Sequence, residues 1–436
     1  MANPVVRVGV LLAVLCTAAA AFGQAASLDD TLRPYLERYR LPALAAAVVR
    51  DGKVVAAGSV GTRRAGTARP VTLDDRFHIG SDTKAMTALL AAMLVEEGLL
   101  RWNSTVAEIF PELAAGMDAR RRTVTLEQLL SHTSGEAADG PALVAVLDQS
   151  LAQPGNLDEM RRWLIREWGR QPLANPPGQG FTYANMNYVF AGAMIERVTG
   201  RTWDELISER VFAPLALSSA GLGNQATLGR VDAPLGHAIV DGKVKAFLAG
   251  PNGDNPPIIG PAGIAHMSVL DFARWAAWNA GEGKRGPALV RPETLQKLHT
   301  PVVAIPPKPD SPPGTPRGGK YGLGWGQVEV AWAAQPLLTH NGSNGANLAA
   351  IWVEPSRDAA LVLMTNIASP QADAALLALA EQLYRGYVAV AAAELPTAPP
   401  TATRTRRPTA PPPTYTPRGP GGVGGFSGDL RRGKGL

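Results

Sequence analysis

Phe77-His78-Ile79-Gly80-Ser81-Asp82-Thr83-Lys84 runs directly into Ala85-Met86-Thr87-Ala88-Leu89-Leu90-Ala91-Ala92-Met93-Leu94, and the reading of the chain turns on this stretch. Apolar residues at helical spacing continue from Ala85 to Leu99, and Phe77 to Gly80 leads into this helix. Ser81 is the only serine in the chain followed three residues later by a lysine. Residues three apart are neighbours on a helix surface, so the Lys84 amine can reach the Ser81 hydroxyl. In a first helical turn, backbone N–H groups without helical partners and the positive end of the macrodipole favour negative charge on that oxygen. The pair reads as an activated nucleophile.

Outward from this stretch, Leu44–Arg50 and Lys53–Val60 are apolar runs joined by Asp51-Gly52, a β-hairpin signal. Ser27 to Tyr39 is expected as a short helix with a capping-box start at Ser27 and Asp30. Leu126–Leu130 reads as helix, and Arg161 to Pro214 as mostly helical with a loop at Asn175-Pro176-Pro177-Gly178. Val269–Ala280, Arg291–Leu298 and Gln371–Val390 are further helices, and Val302–Lys320 is expected as a long surface loop. Strand character returns in Tyr321–Val330, Pro336–His340, Leu348–Val353 and Ala360–Thr365. Strands at both ends with helices between them predict an α+β fold, an antiparallel sheet flanked by helices with an inserted helical subdomain.

The chain has 436 residues and a formal charge of +5. The excess lies after Ala391, where seven Arg or Lys face Glu394 and Asp429, so the body is near neutral and carries no electrostatic case for nucleic-acid binding. Arg7, the apolar run Val8–Ala21, and Gly23 and Ala25 read as a secretory leader over residues 1–25, which places the protein in the periplasm or outside the cell. The run is too short to span a bilayer. Cys16 is the one cysteine and lies in that leader, which leaves the mature chain without thiol chemistry. Residues 393–436, rich in Pro, Thr, Arg and Gly, read as a disordered tail behind a hydrolase domain at 26–392.

A serine and a lysine still need an orienting group and oxyanion donors. Tyr183-Ala184-Asn185 and His340-Asn341-Gly342 follow in order. Ser81-x-x-Lys84, Tyr183-x-Asn185 and His340-x-Gly342 together resemble the serine β-lactamase and DD-peptidase superfamily, in its class C-like branch of AmpC-type β-lactamases, DD-carboxypeptidases, D-aminopeptidases and esterases. Companion segments carry the resemblance across Ser27–Val390: Leu129-Leu130-Ser131-His132-Thr133-Ser134-Gly135, Val211-Phe212-Ala213-Pro214-Leu215, Gly260-Pro261-Ala262-Gly263 and Tyr321-Gly322-Leu323-Gly324-Trp325.

The resemblance implies that Ser81 attacks a carbonyl to form an acyl-enzyme, with Lys84 and Tyr183 sharing its proton and no metal or cofactor involved. It implies that Asn185 bonds Lys84 and a substrate amide, that the N–H groups of Ser81 and Ser343 form an oxyanion hole, and that His340, Asn341 and Gly342 line the substrate. β-Lactamases of this group carry Lys-Thr-Gly at the third motif, and a neutral histidine offers a substrate carboxylate less charge. The expected reaction is therefore peptidase- or esterase-like, on small molecules or short peptides such as those of peptidoglycan, rather than efficient β-lactam turnover. A catalytically silent relative that binds peptidoglycan stems or regulates a partner is the competing reading. G-x-S-x-G and H-E-x-x-H signatures are absent. His132 is expected to be structural, holding its loop beneath the site.

Overall fold

The computed structural model describes residues 25–150, 152–247, 253–307 and 318–391. The leader expected over 1–25, apart from Ala25, and the tail expected over 393–436 lie outside the described residues.

The Asp51-Gly52 turn, with both residues at positive φ, closes the hairpin of strands Ala43–Arg50 and Lys53–Gly61. That hairpin is the seed of a nine-stranded sheet. From one edge to the other the order is Ala26–Ser27, Lys53–Gly61, Ala43–Arg50, Ala359–Thr365, Leu348–Glu354, Leu337–Ser343, Gly326–Val328, Gly319–Tyr321 and Val303–Ile305. Every pairing is antiparallel except the two-residue edge strand, which runs parallel to Lys53–Gly61. The chain's N-terminal hairpin pairs with strands more than 300 residues later, through the Leu44↔Thr365 to Arg50↔Ala359 register.

Period-2 side-chain alternation explains why the central strands are apolar throughout. Ala43, Ala45, Ala47 and Val49 face one core, whereas Leu44, Ala46 and Val48 face the other. The second core is closed by helices Asp29–Arg38 and Pro370–Leu383. The first, larger core holds the helical region between the hairpin and the last strands. At its centre lies the Thr83–Glu96 helix, buried at every position from Thr83 to Leu94. A helix apolar on all sides belongs inside a protein, and Lys84 is carried into the interior with it.

Three expectations are corrected. The first helix begins at Asp29 with Leu28 at its N-cap and no side-chain cap, because Ser27 is used in the edge strand. Tyr321–Val330 is not one strand but two, Gly319–Tyr321 and Gly326–Val328, joined through Gly324 at φ +82. A Cβ at Gly324 would stand 2.9 Å from the Ala85 Cα, so the turn presses against the buried helix and only glycine fits. The described ends of the Val302–Lys320 segment are strands rather than loop: Val303–Ile305 and Gly319–Tyr321 pair with each other. Two smaller sheets, one of them Arg76–His78, Ala265–Ser268 and Gly221–Leu222, were not foreseen.

Candidate active site

Ser81 sits in a single 3₁₀ turn, Gly80–Asp82, at the mouth of the buried helix. The turn is pinned on all sides. Gly80 N–H donates to His78 Nδ1 at 3.0 Å, and His78 Nε2 lies 2.9 Å from Asp254. Thr83 Oγ1 donates to the Gly80 carbonyl at 2.6 Å and accepts from Ala265 N at 3.1 Å.

The turn also abuts the Leu337–Ser343 strand with no room for side chains. Gly80 has φ +51, and a Cβ there would collide with Ser343 N. A Cβ at Gly342 would collide with the Ile79 carbonyl and stand 2.7 Å from Ser81 N. The two glycines therefore bring the backbone nitrogens of Ser81 and Ser343 into one small space.

Lys84 is fully buried, and its Nζ makes three hydrogen bonds: to Ser81 Oγ at 3.1 Å, Asn185 Oδ1 at 2.7 Å and the Ala262 carbonyl at 2.6 Å. Burial drives its pKa from 10.5 down to about 7, opposed by the carboxylates of Asp139 and Asp82. Near neutral pH a large fraction is thus the amine, with two N–H bonds and a lone pair. The two shorter contacts are to oxygens that can only accept, so they take the two N–H bonds. In that form the lone pair faces the Ser81 hydroxyl, whereas the ammonium donates to Ser81 Oγ as well.

Tyr183 completes the group. Its phenol is hydrogen-bonded to Ser81, and its ring centroid is 4.7 Å from Lys84 Nζ. Burial pushes the phenol well above its ordinary value, with the Ser81 hydrogen bond opposing, so Tyr183 stays protonated at neutral pH. Beside it the His132 ring packs at 4.3 Å between centroids, tilted by 35°. His132 Nδ1 accepts from Ala184 N at 3.3 Å and contacts Asn187 Nδ2 at 3.0 Å. That ring supports both the Tyr183 backbone and its side chain.

The third motif divides. Gly342 and Ser343 lie against the nucleophile turn, and the Asn341 side chain is exposed. His340 instead points inward, with 7% of its surface exposed. Its Nδ1 contacts the Asn341 carbonyl at 3.0 Å and its Nε2 the Tyr321 hydroxyl at 3.0 Å. Nδ1 therefore carries the proton, and Nε2 accepts from Tyr321. Burial, with Lys84 nearby, lowers its pKa to about 3. The imidazole is neutral and braces the strand.

Two contributors went unread in the sequence. Ala262 supplies a carbonyl to Lys84 from the short Gly260–Gly263 helix. Asp139, on an exposed loop, accepts from Asn185 N at 3.0 Å and Nδ2 at 2.5 Å, which fixes the Oδ1 that Lys84 uses. A carbonyl belongs to any residue, and an acid in Glu136-Ala137-Ala138-Asp139-Gly140 looks like any surface acid; neither leaves a sequence signal. Among the described residues no cluster of three or more His, Cys, Asp or Glu is placed to hold a metal ion.

The family model described as Beta-lactamase matches residues 28–385. Penicillin-binding protein 4 of Amycolatopsis lactamdurans is 29% identical over 345 residues, which is 77% of this chain and 83% of that protein. Lovastatin esterase of Penicillium rubens is 33% identical over 176 residues, 36% of this chain and 42% of that protein. Among solved structures, the octameric penicillin-binding protein homologue from Pyrococcus abyssi superposes with a TM-score of 0.65 at 26% identity, covering 81% of this chain and 76% of that one. With a matched model spanning both cores and the nucleophile turn between them, the chain belongs to the Beta-lactamase family and is a serine hydrolase of the β-lactamase and DD-peptidase superfamily.

Proposed function

We propose that this protein is an exported hydrolase that cleaves amide or ester bonds through an acyl-enzyme on Ser81. The observation that carries this reading is the buried Lys84 Nζ, 3.1 Å from Ser81 Oγ and held by Asn185 Oδ1 and the Ala262 carbonyl, so that as the amine it turns its lone pair to the Ser81 hydroxyl. Ser81 Oγ attacks the carbonyl carbon as its proton passes to Lys84 Nζ. The substrate oxygen gathers charge between the N–H groups of Ser81 and Ser343. The C–N or C–O bond then breaks, and the proton goes to the leaving nitrogen or oxygen through the neighbouring Tyr183 hydroxyl. Water, deprotonated by the same amine, attacks the ester and frees Ser81.

Short peptides or amides of D-amino acids, as in peptidoglycan, are the first substrate class, and small esters the second. The similarity to a penicillin-binding protein and to an esterase supports both. With His340 neutral and turned toward Tyr321, the third motif presents no cation, which argues against efficient β-lactam turnover. Export rests on the leader sequence and is checked by sequencing the N-terminus of the secreted protein.

The catalytic reading is tested by labelling with a fluorophosphonate and locating the adduct by mass spectrometry. Wild type should label at Ser81, Ser81→Ala not at all, and Tyr183→Phe about 10²- to 10⁴-fold more slowly, the usual range for a lost proton-transfer group. A folded wild type that never labels would favour the silent peptidoglycan-binding reading instead.

A further inference from the structure

The rim of the site carries an acid, Asp139, that exchanges no proton in the proposed reaction. Asp139 stands on a loop whose base is held rigidly: Glu136 is buried, paired with the buried Arg121, and accepts from Trp168 Nε1 at 3.0 Å. Ser134 donates to Asn187 at 2.6 Å, and Gly135 has φ +83 at a point where a Cβ would collide with the Asn175 carbonyl. From this base Asp139 reaches the surface beside Asn185, whose Oδ1 accepts from Lys84 Nζ.

Two of its lone pairs are taken by Asn185, and a carboxylate has about four. Lys84 is the cation that acts on Asp139, and burial draws that lysine toward its uncharged form. Of the two acids near Lys84, Asp82 is 1% exposed and sealed behind the nucleophile, which leaves Asp139 to face an incoming molecule.

We propose that Asp139 is a specificity-determining residue that pairs with a free ammonium group of the substrate, so that the preferred substrates carry an unblocked amine next to the carbonyl that Ser81 attacks. The inference rests on the hydrolase reading above and narrows it. An acyl group with a terminal amine places its cation about two bonds from the reacting carbon, on the side where Asn185 and Asp139 stand. A substrate presenting a carboxylate there would meet the like charge of Asp139. The site is accordingly suited to aminopeptidase- or amino-ester-type substrates more than to carboxypeptidase-type ones.

The test compares D- and L-alanine p-nitroanilide with their N-acetyl derivatives, for wild type and Asp139→Asn, alongside fluorophosphonate labelling of Ser81. Wild type should favour the free amine at least tenfold in kcat/KM for one hand of the substrate, and Asp139→Asn should bring that ratio near one. Because Asp139 also positions Asn185, the variant will be slower on everything; the ratio is the readout, and a purely structural role would leave it unchanged. Should neither anilide turn over, protection of Ser81 from labelling by alaninamide against N-acetylalaninamide decides the same ratio. Normal labelling with no preference for the amine overturns the inference alone, whereas absent labelling of the folded protein removes the hydrolase reading with it.

Discussion

Lys84 sets a pH dependence that can be worked from its surroundings. An ordinary lysine at pH 7 is uncharged in about one molecule in 3,000, whereas one titrating at about 7 is uncharged in about half. The fall from 10.5 to about 7 corresponds to about 5 kcal/mol set against the ammonium by burial. If the amine is the base, the second-order rate of Ser81 labelling should rise about tenfold per pH unit below about 7 and level off above it. Asp139 is the largest influence holding the charge on Lys84, so Asp139→Asn should lower the lysine pKa further and move the inflection to lower pH. Lys84→Arg keeps a cation that cannot give up its proton and should abolish labelling. Labelling rates over pH 5–9, referred to the intrinsic hydrolysis of the probe, supply the measurement. A flat profile, or an inflection that moves upward in Asp139→Asn, would refute the assignment of Lys84 as base. Stability carries the same sign: the unfolded chain binds the extra proton between pH 7 and 10.5, so Lys84 contributes stability that grows as pH rises through that window.

Gly342→Ala should disable the site from behind, since its methyl group meets the Ile79 carbonyl and crowds Ser81 N. Labelling should fall more than 100-fold, with about 1–3 kcal/mol lost in chemical denaturation, as for other overpacked positions. Glu136→Ala strands the buried Arg121 guanidinium and should cost about 3–5 kcal/mol of unfolding free energy; a loss below 1 kcal/mol would show that the loop is not anchored as described. Tyr183 should show no phenolate absorbance up to pH 9, read as the difference spectrum between wild type and Tyr183→Phe, because burial holds its proton. Tyr321→Phe should leave His340 Nε2 without its donor and destabilise by about 1 kcal/mol, while the pH limb set by Lys84 stays in place.

Local chemistry was legible wherever one short segment determines its own geometry. The hairpin at Asp51-Gly52 follows from residues that tolerate positive φ, and the helix behind Ser81 from an unbroken apolar pattern. The contact of Lys84 with Ser81 follows from a spacing of three, a relation internal to one turn. Tyr183, Asn185 and Gly342 could be named from ordered motifs, because each motif occupies contiguous residues. The direction of charge could not be read this way. The resemblance had Lys84 and Tyr183 sharing the proton; only the packed interior, which strips water from both, favours an uncharged lysine beside a neutral phenol. His340 shares a strand face with Gly342, and its contact with the Tyr321 hydroxyl comes from a strand two places along the sheet. Asp139 and the Ala262 carbonyl act on Lys84 or its partner from 55 and 178 residues away in the chain, without any pattern to announce them. Sequence determines what a residue carries and what its near neighbours can do, because helices and turns are local. Desolvation, strand register and contacts between distant segments depend on how the whole chain closes around the site, and these set the surroundings of Lys84, Tyr183 and His340.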